Sequence, residues 1–177
     1  MTLEVSKRCF NVAAIIGIVI ASLALIDRLY AAYLIITFYL TEMITYLFIG
    51  LFIYSAILIM SIKGVTMFKK PLEEYDDVRL SKKVKGIKGY SVTYFVMAIY
   101  IIIGVVFTLG TTGGELDIYT WVFNAIMIIA FIAAGTLSSA AKKPIIENIN
   151  NFRAAKSAAA TESIYWQNNN NNNDNNR

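Results

Sequence analysis

From Phe10 to Ile62 the chain runs for fifty-three residues with Asp27, Arg28 and Glu42 as its only charged side chains. As a single α-helix this run would be a rod of about 80 Å, against a membrane hydrocarbon core about 30 Å thick. The chain must therefore turn, and the charges say where. A charged side chain at the bilayer centre costs about 2.5 to 3.5 kcal/mol on insertion scales, so Asp27 and Arg28 belong near a surface. The first span is then 10–26, with the turn at or after Asp27 and the Arg28 guanidinium snorkelling to the headgroups. The second span is 43–62. Between them "LYAAYLIITFYLTE" carries Tyr30, Tyr33, Phe38 and Tyr39, rings suited to the membrane interface. It reads as an interfacial segment or as overlong ends of both helices.

Two further apolar runs, 90–109 and 121–140, complete an all-α fold of four transmembrane helices over residues 1–143. The third ends at Gly110 and the turn "GTTGGELD"; the fourth opens on Trp121 and stops at Lys142, Lys143 and Pro144. Composition agrees: 57% of residues are hydrophobic and 16% charged, where soluble domains run nearer half and a quarter. Fifteen of the sixteen basic residues lie in the N-terminus, the loop 63–89 or the C-terminal segment from Lys142 onward, and Arg28 alone lies opposite. The positive-inside bias places those three segments, and both termini, in the cytosol. The net charge of +4 is thus a topology signal and not a nucleic-acid footprint. The same opening also resembles a signal peptide, with Lys7 and Arg8 before an apolar run and "SLA" at Ser22 to Ala24. The length of the run weighs against cleavage.

The inventory of reactive side chains is short. There is no histidine and one cysteine, Cys9. Disulfide frameworks, Cys/His zinc sites, haem with histidine ligands and Ser-His-Asp chemistry are excluded. No catalytic, metal or cofactor pattern is present, and the expectation is a protein that is not an enzyme. Small residues recur every four positions at Ala13, Gly17 and Ala21, and again at Ala130, Ala134 and Ser138. Such stripes let helix backbones approach closely, within one chain or between copies. Glu42 is the candidate for ion handling, at the outer end of the second span, and Asn124 is expected to bond to a neighbouring helix backbone.

The loop between the second and third spans holds Pro71 at a first helical position, then Glu73, Glu74, Asp76 and Asp77, and then Lys82, Lys83 and Lys85 before Gly86. That order predicts a dipole-matched helix whose lysines attract anionic lipid. Tyr75 to Val78 fits a tyrosine-x-x-bulky pattern resembling endocytic sorting signals, with a packed Tyr75 as the alternative. Cys9 sits where S-palmitoylation occurs, or is a buried thiol. In the tail, Ile145, Ile149 and Phe152 predict a short interfacial helix, and the asparagine run from residue 168 reads as disordered low complexity.

Four spans, cytosolic termini, short exposed turns and no catalytic inventory resemble the tetraspan vesicle and junction proteins of the MARVEL type, over about residues 5 to 145. The Cys-Cys-Gly loop of tetraspanins and the Trp…Cys…Cys loop of claudins are missing, as is the last-span carboxylate of rotary ATPase proteolipids. The MARVEL resemblance implies membrane organisation and trafficking through lateral contacts with lipids and other membrane helices, including self-association. A small oligomeric transporter or channel, or an accessory subunit of a larger complex, is the competing expectation. Plasma membrane and endomembranes are not distinguished.

Overall fold

The computed structural model describes residues 1–37, 44–111 and 118–174, with side chains at 1–33, 44, 47–110 and 118–162. Every regular element among the described residues is helical: α1 (Leu3–Thr37), α2 (Ile44–Thr66), a 3-10 turn (Leu72–Glu74), α3 (Asp77–Thr111) and α4 (Ile118–Asp174). Each of the four α-helices contains a stretch long and apolar enough to cross a membrane. α1 packs against α2 and α4, and α4 against α3, while α2 and α3 meet mainly through tyrosine side chains.

The helices are longer than their apolar runs. α1 does not stop at Ile26 but continues through Asp27 and Arg28 to Thr37. Once a helix is nucleated, each further residue adds a hydrogen bond, and a polar partner inside the bundle removes the reason to turn. The loop helix begins six residues after Pro71. Asp76 is the true cap: its Oδ1 accepts the Arg79 N–H at 2.7 Å and its carbonyl accepts the Leu80 N–H at 3.0 Å. From there α3 runs without a break through Gly86 into the third span. α4 likewise passes Pro144, and its bounds include the asparagine run to Asp174 that composition assigns to disorder.

The tail residues Ile145 and Ile149 face inward. Both are buried, in one apolar cluster with Leu80 and Ile87 of α3, and Phe152 packs on its edge. The expected separate interfacial helix is thus a continuation of α4 packed on the start of α3. An ion pair from Arg153 Nε to Asp77 Oδ1 at 3.6 Å closes this end.

The interior is aromatic. Phe68, Phe10, Tyr90, Tyr94 and Phe131 form a chain with ring centroids 5.5, 5.0, 6.4 and 6.3 Å apart. The Tyr94 hydroxyl and Ser61 Oγ lie 3.0 Å apart, fully enclosed, and the Tyr90 hydroxyl donates to the Met60 carbonyl at 2.6 Å. Glycine makes room for both: a Cβ on Gly17 would lie 2.5 Å from Ser61 Oγ, and one on Gly64 would lie 2.9 Å from the Tyr90 ring. The outside is apolar too, with Phe48, Phe52, Ile103, Phe107, Val122 and Ile129 among many large exposed side chains.

Candidate functional site: a polar cavity at the Arg28 end

At the end of the bundle away from both termini, the four helices line a partly open cavity of about 270 Å³. α1 contributes Ala24, Asp27 and Arg28, and α2 contributes Tyr54. α3 adds Tyr100, Gly104 and Thr108, and α4 adds Tyr119, Thr120, Phe123 and Asn124. Arg28 lies across α2 because Gly50 has no side chain: a Cβ there would sit 3.2 Å from Arg28 Nε and 3.3 Å from its Cδ. Arg28, Asp27 and Tyr100 line the cavity with Tyr54 and lie near enough to its hydroxyl to act on it electrostatically. Tyr54 itself is buried, whereas Asp27 and Arg28 are partly accessible. The guanidinium therefore turns into the bundle and does not snorkel away from it.

Asp27 and Arg28 do not neutralise one another. Neighbours on a helix point about 100° apart, and among the described residues neither takes part in an ion pair. The cavity thus has a negative and a positive pole on one wall. On α4, the Tyr119 and Phe123 rings that also line the cavity stack with centroids 6.0 Å apart. Asn124 Nδ2 donates to the Thr120 carbonyl of its own helix at 2.8 Å, not to a neighbouring helix. Deeper in the bundle, Met127, Phe131 and Tyr94 are fully buried and fill the interior.

The other residues singled out by sequence lie elsewhere. Ala13, Gly17, Ala21, Ala134 and Ser138 are buried inside the bundle of a single chain, and Ala130 is partly buried. Tyr75 is extended and half-buried, with Lys83 Nζ 3.6 Å from its ring centroid. Lys83 also donates to the Met67 carbonyl. It is therefore turned inward, and Lys82 and Lys85 are the exposed members of that cluster. Val78 is exposed but lies in the first turn of α3, so Tyr75 to Val78 is not one extended segment. Cys9 is a free, half-buried thiol at the end of the second turn of α1. Glu42 lies outside the described residues.

Sequence reasoning placed Asp27 and Arg28 near a surface, with the turn at or after Asp27, and missed their partners. The usable signal was Gly50 in the second span, a small residue four positions before Tyr54. No protein-family model matches the chain, and no curated protein or solved structure is significantly similar to it.

Proposed function

We propose that this chain is a multi-pass integral membrane protein with both termini and the loop 63–89 in the cytosol. It works without catalysis, by lateral contacts with lipids and other membrane helices, in membrane organisation or vesicle trafficking. One observation carries this reading. The bundle has a filled aromatic interior and an exterior covered in large exposed apolar side chains, such as Phe52 at 76% and Phe48 at 65% exposure. In water such a surface far exceeds the apolar patches that monomeric proteins tolerate; in lipid it is the contact surface. The topology-level likeness to MARVEL-type tetraspan proteins supports the same reading, with exposed Lys82 and Lys85 drawn to anionic cytoplasmic lipid.

A transporter or channel is the second reading, favoured by the polar cavity. Against it stands the closed interior below the cavity, where Tyr94 and Phe131 are completely buried. Labelled protein reconstituted into vesicles of mixed lipid composition distinguishes the readings. Lateral organisation predicts energy transfer between protein and particular labelled lipids above random mixing, with no proton or cation leak. Robust flux that disappears in Glu42→Gln or Asp27→Asn, with random lipid mixing, would replace this reading by the transport one.

A further inference from the structure

The geometry points to the cavity as a binding site for the headgroup of a zwitterionic phospholipid, its phosphate on Arg28 and its ammonium group between Asp27 and the aromatic rings. This rests on reading the chain as a membrane-embedded bundle. Three helices put the cavity at headgroup depth. From Arg8 to Arg28, and from Lys88 to Thr108, twenty residues of helix span about 30 Å, the thickness of the hydrocarbon core. On α4, the interface residue Trp121 lies one turn before Asn124.

The lining chemistry selects the ligand. A guanidinium presents a rigid fork of donors suited to phosphate oxygens. A carboxylate one residue away would repel a purely anionic headgroup but would hold a cation beside it. Tyr54, Tyr100, Tyr119 and Phe123 also line the cavity, and aromatic rings attract ammonium and quaternary ammonium groups. The two poles remain separate because Asp27 and Arg28 diverge on the helix. A cavity of about 270 Å³ lies just under the range of about 300–1,000 Å³ typical of drug-sized sites, which suits a headgroup and leaves the acyl chains outside along the apolar surface.

The full chain, purified in mild detergent, would be titrated with dihexanoyl phosphatidylcholine, dihexanoyl phosphatidylglycerol and free phosphocholine, and bound species counted by native mass spectrometry. The phosphatidylcholine is expected to bind at least ten-fold more tightly than either alternative. Arg28→Gln should weaken it at least ten-fold. Asp27→Asn should weaken phosphatidylcholine and strengthen phosphatidylglycerol, reversing the order. If Arg28→Gln does not fold, Arg28→Lys and Asp27→Asn carry the comparison, Arg28→Lys losing a smaller part of the affinity. Equal binding of the two lipids, free phosphocholine binding as tightly as the lipid, or no change of order in Asp27→Asn would overturn the proposal. Incorporation into nanodiscs is scored separately. A protein that inserts but shows no headgroup preference sinks this site alone, and one that fails to insert sinks the membrane reading with it.

Discussion

The Tyr94 hydroxyl of α3 and Ser61 Oγ of α2 meet at 3.0 Å directly over Gly17 of α1, so three helices are joined at one enclosed point. α2 and α3 otherwise approach loosely, and this hydrogen bond with the Tyr90–Met60 bond closes the ring. Its tolerance for added atoms is small. A methyl group on Gly17 would lie 2.5 Å from Ser61 Oγ and 2.6 Å from the Tyr94 hydroxyl.

Gly17→Ala is therefore expected to destabilise the bundle by about 1 to 3 kcal/mol, by overpacking and by displacing a buried hydrogen bond. Thermal unfolding in detergent measures it. In a Tyr94→Phe background the same substitution should cost at least about 0.5 kcal/mol less, since one of its clashes has already been removed. Additive costs would show that the three side chains are not coupled.

Two other glycines should respond in opposite directions. Gly50→Val would push into Arg28, and is expected to lower stability and loosen the cavity wall. A Cβ on Gly89 meets nothing within 4 Å, so Gly89→Ala should be neutral or stabilising by up to about 1 kcal/mol through helix propensity. A Gly50→Val protein as stable as the native one would mean that Arg28 does not rest on α2.

Much of this architecture is legible from the apolar runs alone. Four stretches of roughly the right length, and the one-sided distribution of lysines, require no tertiary information. The helix ends were not legible in the same way. Insertion costs for Asp27 and Arg28 assume a side chain facing lipid, and that assumption fails once Gly50 opens a berth and Tyr54 supplies a hydroxyl. Pro71 reads as a helix start by local preference, yet Asp76 provides the side-chain acceptor, and the helix starts there. Lys83 looks like its neighbours in sequence, and only the fold reveals that it points at Tyr75.

That difference among the lysines is testable. Lys83→Gln should expose the segment 67–76 to limited proteolysis, since it removes a cation over the Tyr75 ring and a donor to the Met67 carbonyl. Lys82→Gln should leave cleavage unchanged and weaken binding to anionic vesicles instead. Identical cleavage patterns for the two variants would contradict the inward placement of Lys83.

At the far end, burial should outweigh charge. Ile149→Ala removes a side chain that is 1% exposed and is expected to cost about 2 to 4 kcal/mol. Asp77→Asn breaks a largely exposed ion pair with Arg153 and should cost less than about 1 kcal/mol. Chemical denaturation of both variants under one condition gives the comparison, and a larger effect for Asp77→Asn would reverse this account.

Cysteine accessibility tests the orientation. Single cysteines at Lys70 and Lys156 in a Cys9→Ser background should react with an impermeant reagent only from the cytosolic side of sealed membranes, and one at Gly113 only from the opposite side. Labelling of the Lys70 position from that opposite side would invert the topology.

Because α3 and α4 each continue as one helix beyond their apolar stretches, and because Leu80, Ile87, Ile145 and Ile149 belong to the same buried cluster as Tyr94 and Phe131, the segment beyond those stretches is packed as part of the bundle. A pull on α4 near Arg153 is therefore expected to pass through that shared cluster toward Asn124 and the cavity at the other end of the bundle. An antibody fragment gripping that outer segment would thereby damp movement at the distant cavity mouth, whereas an equally large mass attached through a flexible linker would leave it unaffected.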